Sequence, residues 1–242
     1  MAMVDVLTDS TARAPSLLPG WTRAMLVAHV TSAGNAALRC ADAAQHGESV
    51  AMYPGGEEQR DQEIESGRDQ PMADLLSAIA EVCAACDTAF ASLSGDAWTV
   101  PMTSRRGPIP MSAVAAQRWL DVEAHRVDLD LGYSTQHWPT ALVDNALPVA
   151  VQLLPALRKR PDADRDVVGV WEFRRTDGDD GWALHAEADH AWLADPIGAG
   201  CQISAPGRAL LALIIGRQVA DPMTVEGDVS LAAQLKRAFP GP

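Results

Sequence analysis

Asp121 and His125 stand four residues apart in the run Asp121-Val122-Glu123-Ala124-His125. In an α-helix, residues i and i+4 are separated by only about 40° around the axis and roughly 6 Å along it, so the carboxylate and the imidazole can grip one ion from one face. The earlier apolar stretch Leu26-Val27-Ala28-His29 offers a second imidazole. Supplied from a neighbouring helix, His29 would complete a set of two histidines and one carboxylate. Three protein ligands leave zinc a free coordination position, the condition for catalysis as opposed to structural metal binding. The alternatives for Asp121 are a solvated helix face or a salt bridge to Arg118 or Arg126. For His29 it is a hydrogen-bonded place in the core. Asp128, three residues past His125, lies near the same face and is either a carboxylate that orients the imidazole or a surface residue. Glu123 points about 200° away from His125 around the helix and cannot simply replace Asp121.

The elements that must position these residues are helical. Apolar patterning predicts helices from about Thr22 to His46, Met72 to Leu93 and Met111 to Leu131, with Thr22 as a cap and Pro71 and Pro110 at helix starts. Gly47 to Gly67 is a long polar connection carrying Met52, Tyr53, Arg60 and Glu63, of the length expected for a lid or binding loop with a short helix of its own. Val100 to Pro110, with Arg105-Arg106-Gly107-Pro108, is read as the other long connection. After Gly132 the pattern changes. Thr140 to Leu157 reads as a helix that Pro148 and Pro155 should each kink or end. Asp166 to Arg174 and Trp182 to Glu187, joined by an Asp/Gly cluster, read as a β-hairpin. Gly207 to Gly216 is an apolar helix, Met223 to Val225 a short strand, and Leu231 to Phe239 a last helix. The fold class is therefore α+β: a helical domain over residues 1–135 followed by a small α/β domain over 136–242, with a short sheet and packed helices.

At 242 residues and 48% hydrophobic content, each domain can bury a core. Thirty-two acidic residues against nineteen basic ones give a net charge of -13, which disfavours nucleic acid and anionic membranes as partners. A small anionic substrate stays compatible, because a few arginines in a cleft act locally. No run of eighteen apolar residues and no signal-peptide pattern at Met1-Ala2-Met3-Val4-Asp5 are found, so a cytoplasmic protein is expected, with its four cysteines as thiols. Cys83 and Cys86 form a C-x-x-C in the middle of a helix, where packing is the better reading than redox chemistry. His185 and His190 flank Asp189 and are read as surface residues. Trp21, Trp98 and Trp119 are read as core or pocket walls. No Walker A, dinucleotide fingerprint or nucleophile-elbow motif is present.

Leu18-Pro19-Gly20-Trp21-Thr22-Arg23, Val27-Ala28-His29-Val30, Gly47-Glu48, Met52-Tyr53, Arg60 with Glu63-Ile64, Asp96-Ala97-Trp98 and the helix from Arg118 through His125 to Asp128-Leu129 occur in an order and spacing that is specific. Together with Leu210 to Gly216-Arg217 and Val225-Glu226-Gly227-Asp228, they make nearly the whole chain resemble the mycothiol-dependent maleylpyruvate isomerase family. The resemblance implies a DinB-like helical metal-binding domain and a small C-terminal α/β domain. It implies zinc on His29, Asp121 and His125, the same trio that spacing suggests. The family usually places Glu where this chain has Asp121, one methylene shorter. The family also begins with a full bundle helix, where this sequence has only about Ala2 to Thr11, so the fold class carries a truncated first helix.

The activity implied is cis-trans isomerisation of maleylpyruvate to fumarylpyruvate in gentisate-type aromatic breakdown, with the low-molecular-weight thiol mycothiol as cosubstrate. Arg217 is implied as a catalytic or substrate-binding arginine; its alternative is a charge at a helix C-terminus. Arg60 and Arg105 are candidates for carboxylate contacts in cofactor or substrate binding. Three other readings stay open: a mycothiol S-transferase acting on another electrophile, zinc-dependent hydrolysis with Glu123 or Asp128 as base, and a non-catalytic metal or small-ligand binder. Monomer and homodimer are equally compatible with the sequence.

Overall fold

The computed structural model describes residues 7–105, 107–198 and 200–241. The chain divides into two compact units, Met1–Tyr133 and Ser134–Pro242. The first is built on α1 (Asp9–Ala12), α2 (Arg23–Gln45), α3 (Gly56–Ser66), α4 (Met72–Ser92) and α5 (Met111–Asp128), with a two-stranded ribbon of β1 (Pro101–Ser104) and β2 (Gly107–Pro110). Of the short N-terminal helix expected from Ala2 to Thr11, residues 1–6 lie outside the described residues.

α2 starts where a threonine can close it: the Thr22 hydroxyl accepts from the Met25 N–H at 3.3 Å. The helix is rich in alanine and buried on most of its circumference, which lets neighbouring helices approach closely. Its first half packs Leu26 and Val27 against Met72, Leu75 and Leu129, and its second half packs Cys40 and Ala41 against Met102, Met111 and Val114. Each fully buried aliphatic side chain of this kind contributes roughly 1.5–3 kcal/mol. α4 begins at Pro71 without a cap of its own, and the carboxylate of Asp9 in α1 supplies one by accepting from the Met72 N–H at 2.7 Å. The long polar connection does contain a helix, α3, and Gly67 ends it against α2. A Cβ at Gly67 would lie 2.1 Å from the Ala28 Cβ, so only glycine allows the contact beside His29.

The segment read as a plain connection from Val100 to Pro110 is instead the antiparallel β1/β2 ribbon, pairing Pro101 with Pro110 and Thr103 with Pro108. Ser104 closes its turn by donating to the Gly107 carbonyl at 2.7 Å. The three prolines, which cannot donate to a ladder, hid this ribbon from a strand pattern.

The second unit contains α6 (Thr140–Leu157), α7 (Gly207–Ile214), α8 (Val229–Ala238) and five strands: β3 (Gly169–Arg175), β4 (Gly181–Ala186), β5 (Ala191–Ala194), β6 (Cys201–Ala205) and β7 (Thr224–Gly227). The sheet order is β5-β4-β3-β6-β7, with β3 and β6 parallel and the other pairs antiparallel. The expected β3/β4 hairpin is present; β5 and β6 are additions, both short. α6 continues through Pro148 and Pro155 instead of ending at either. Its buried stripe of Leu142, Val143, Ala146, Leu147, Val151 and Leu154 supplies packing that outweighs the lost backbone bonds. α4 and α6 are also long and apolar enough, by length and composition, to cross a membrane, although no span was expected. Each contributes a face of buried residues to its own unit, α4 through Met72, Leu75, Val82 and Cys86.

Candidate metal centre

The three residues singled out by spacing come together in the first unit. His29 projects from α2, and Asp121 and His125 from successive turns of α5. Asp121 Oδ1 lies 3.4 Å from the Nε2 of His29 and 3.4 Å from the Nε2 of His125. The three ligand atoms lie within 4.8 Å of one another, and the imidazole rings meet edge to face with centroids 4.7 Å apart. Tetrahedral zinc with nitrogen and oxygen ligands at about 2.0–2.2 Å holds neighbouring donors about 3.3–3.5 Å apart, which the two edges at Asp121 Oδ1 match. Among the described residues this trio is the cluster of His, Cys, Asp and Glu with metal-ligating geometry.

The cluster is sheltered but not sealed. The side chains of His29 and His125 are 8% and 12% exposed and that of Asp121 is 26% exposed, although its Oδ2 is buried. His125 Nδ1 donates to Asp128 Oδ2 at 2.8 Å. That bond fixes the ring and leaves Nε2 to the trio, the arrangement in which a second carboxylate orients a ligand imidazole. Asp128 itself is completely buried. It is held where the chain turns back, since its carbonyl accepts from the Leu17 N–H at 2.9 Å and the next carbonyl, Leu129, accepts from Arg23 Nε at 2.7 Å.

Electrostatics divide the two histidines. Burial pushes the His29 imidazolium pKa down, against the opposing pull of Asp121, and the charges of His125 and Arg60 push it further. Burial acts the same way on His125, but hydrogen bonds to Asp121 and Asp128 outweigh it and raise its pKa above the ordinary 6.5. For Asp121, burial favours the neutral acid. Its contacts with His125 and His29 reverse the sign and hold the carboxyl far below the usual carboxylate range. Two buried atoms of the trio, His29 Nδ1 and Asp121 Oδ2, have no hydrogen-bond partner.

Around the trio stand groups with less obvious signals. Trp21 meets His29 edge to face at 5.6 Å and forms a wall. Arg60, on α3, pairs with Asp61 at 2.9 Å, and its charge acts on both His29 and Tyr53. Ser32, one turn beyond His29, donates to Glu63 of α3, which also accepts from Gln59 at 2.7 Å. Neither Ser32 nor Gln59 was singled out in the sequence; the i+3 spacing of Ser32 from His29 was the available signal. Arg118, one of the two salt-bridge partners considered for Asp121, is buried and does pair with it, with Nη1 3.8 Å from Asp121 Oδ2. Arg126, the other such partner, instead lies over the Tyr133 ring at 3.8 Å.

The remaining candidates have other partners. Arg105 is tied to Glu57 at 2.7 Å, with both side chains exposed. Arg217 belongs to the second unit, where it follows α7 and donates from Nη1 to the Ile215 carbonyl at 2.9 Å. Glu123 accepts from the Tyr133 hydroxyl, away from the trio, as its helical angle required. His185 and His190 stack on Trp192 at 5.0 and 5.1 Å, and Asp189 pairs with Arg165. Cys83 and Cys86 lie within α4, where Cys86 donates to the Gly34 carbonyl at 3.6 Å and burial raises its thiol pKa.

The family model described as mycothiol maleylpyruvate isomerase N-terminal domain matches residues 1–130, the stretch that carries all three clustered side chains. The chain belongs to this family. Two solved structures share its fold: a crystal structure of the mycothiol-dependent maleylpyruvate isomerase, and one of a histidine-to-alanine mutant of that enzyme. Each has a TM-score of 0.74 and 20% sequence identity, over 93% of this chain and 86% of the other. At that identity the likeness is one of fold. No curated protein matches the sequence.

Proposed function

We propose that the protein is a zinc- and mycothiol-dependent enzyme that isomerises maleylpyruvate to fumarylpyruvate. The observation that carries this reading is the trio of His29, Asp121 and His125 at zinc-ligand spacing, in a chain of this family. His29 and His125 would hold the ion through Nε2 and Asp121 through Oδ1. When bound, a zinc with two neutral imidazoles and one carboxylate retains net positive charge and stabilises a thiolate near neutral pH.

Rotation about an intact C=C is far too slow, so the reaction must remove the double bond briefly. Addition of the cosubstrate's thiolate forms one C–S bond and moves the alkene electron pair into an enolate; rotation about the new single bond follows. Collapse of the enolate breaks the C–S bond, restores the alkene as trans and returns the thiolate, with no net oxidation or reduction. The chain's own residues bind and orient. Asp128 keeps the His125 proton on Nδ1, so that Nε2 presents a lone pair. Trp21 shields one side of His29 from water. Arg60 is the cation beside His29 that a substrate carboxylate would meet, exchanging for it the exposed carboxylate of Asp61. Arg105 would have to leave Glu57 to do the same. Arg217 is assigned to the second carboxylate and to the developing enolate charge. A reducing, cytoplasmic setting suits the four free cysteines.

The test is turnover of maleylpyruvate by purified protein with and without mycothiol, after chelation and after return of zinc. Thiol- and zinc-dependent fumarylpyruvate formation is expected. Thiol conjugates without isomer would make the protein an S-transferase on the same site, and bound zinc with neither product would make it a binding protein.

A further inference from the structure

We infer that Arg118 is a positioning residue that turns the Asp121 carboxylate so that a single oxygen, Oδ1, faces the two imidazoles. The inference rests on the metal reading above and goes beyond it, because it concerns a side chain that is not itself a ligand. Arg118 lies one helical turn before Asp121 on α5 and is only 7% exposed. A guanidinium so deep in a helical unit needs acceptors on several sides. It finds the Val30 carbonyl at 2.6 Å from Nη1 and the Cys83 sulfur at 3.6 Å from Nη2. The carboxylate paired with it is Asp121, with Oδ2 at 3.8 Å from Nη1.

The division of the carboxylate is what makes this more than a staple between helices. Oδ1 is 3.4 Å from both Nε2 atoms, while Oδ2 points the other way and has no hydrogen-bond partner in its buried place. The second torsion of an aspartate is broad, so nothing in the side chain itself prefers this orientation. A fixed positive charge behind Oδ2 does. The same guanidinium is bound to the carbonyl of Val30, the residue after His29, and so ties the α2 ligand to the α5 ligand. α2 makes room for it at Gly34, where a Cβ would lie 3.1 Å from Arg118 Nη2 and 2.8 Å from Val82 Cγ2. Without the cation, Oδ2 is free to rotate toward the metal, and the carboxylate would occupy the vertex needed by an exogenous ligand.

Cobalt(II) reports this directly, since its visible bands are intense in a four-coordinate site and weak when further oxygen ligands join. The full chain would be stripped of metal, loaded with cobalt and compared with Arg118→Gln, which keeps a donor for Val30 but no charge, and Arg118→Lys, which keeps the charge. Loss of band intensity in the glutamine variant with retention in the lysine variant is expected, both folded by circular dichroism. A purely structural Arg118 would lower the melting temperature of the glutamine variant and leave its cobalt bands equal to wild type. That result overturns the inference, as does a folded lysine variant whose bands are as weak as those of the glutamine variant. Wild-type protein that takes up no cobalt would instead overturn the metal reading, and this inference with it.

Discussion

The two units each bury a cluster built around an arginine, and they settle its charge in opposite ways. In the second unit Arg158 is completely buried, and its guanidinium is surrounded by backbone. Nε donates to the Glu187 carbonyl at 3.0 Å, Nη1 to those of Asp164 and Ala238 at 2.7 and 3.4 Å, and Nη2 to that of Arg165 at 2.9 Å. It gathers the end of α6, the loop before β3, the end of β4 and the C-terminus of α8. In the first unit the charged groups face one another, and His29 Nδ1 and Asp121 Oδ2 stay without hydrogen bonds. Leaving such atoms unsatisfied costs about 1–3 kcal/mol each, which a structure retains where the group has another use. A buried cation held by four backbone carbonyls is what architecture requires, and a buried cluster that keeps unpartnered atoms is what the proposed site requires.

The sharpest way to break this comparison is to remove the imidazoles. His29→Ala and His125→Ala should each lose essentially all tightly bound zinc by metal analysis, while the metal-free variants unfold within about 1 kcal/mol of metal-free wild type. Full zinc content in both variants would contradict the trio. Arg158→Met should show the reverse pattern, with zinc content per folded chain unchanged. Denaturant melts should register a loss of about 3–5 kcal/mol, because several buried carbonyls lose their donor at once; a loss below about 1 kcal/mol would remove the architectural role.

Asp128→Asn keeps the shape beside His125 but weakens the bond at Nδ1. Zinc affinity measured against a chelator should fall roughly 10- to 100-fold, the usual effect of altering the carboxylate behind a ligand histidine. An unchanged affinity would mean that the 2.8 Å bond is incidental to the site.

The smallest effect concerns Lys236, an intermediate case in the second unit. Its Nζ has the Ile214 carbonyl at 2.8 Å, while burial, aided by the charge of Arg217, brings its pKa down to about 8 from 10.5. The folded state therefore binds fewer protons than the unfolded chain between these values, and stability should rise with pH across that window. Lys236→Met should lack this rise, leaving a difference on the order of 1 kcal/mol in paired melts near pH 7 and pH 10, small because solvent reaches the group. Parallel pH curves for wild type and variant would show that Lys236 is as well settled as Arg158.

Several of these contacts were legible from spacing because they are local. The i+4 spacing of Asp121 and His125 and the i+3 spacing of His125 and Asp128 are converted by helix geometry alone into a shared face. The cap at Thr22 and the hairpin of β3 and β4 follow from equally short-range patterns. The helix expected over Thr140 to Leu157 is present with those bounds, its buried stripe outweighing the cost of Pro148 and Pro155. Local reasoning failed where packing decides. The prolines around Gly107 sit in the β1/β2 ribbon, which no alternation of side chains announces. β5 and β6, four and five residues long, are too short for their own pattern to single them out, and they take their places as partners of β4 and β3.

From its own order of residues, the chain determined the long helices, the facing of Asp121, His125 and Asp128, and the incapacity of Glu123 to join them, since all of these depend on angles within one helix. Only the tertiary structure decided that α2 delivers His29 to within 3.4 Å of Asp121, that the Arg118 guanidinium lies behind that carboxylate instead of in solvent, and that Arg105 is spent on Glu57. Those outcomes depend on how closely helices can approach, at Gly34 and Gly67 above all, and on which buried charges find a partner there. Neither quantity is a property of any short stretch of sequence.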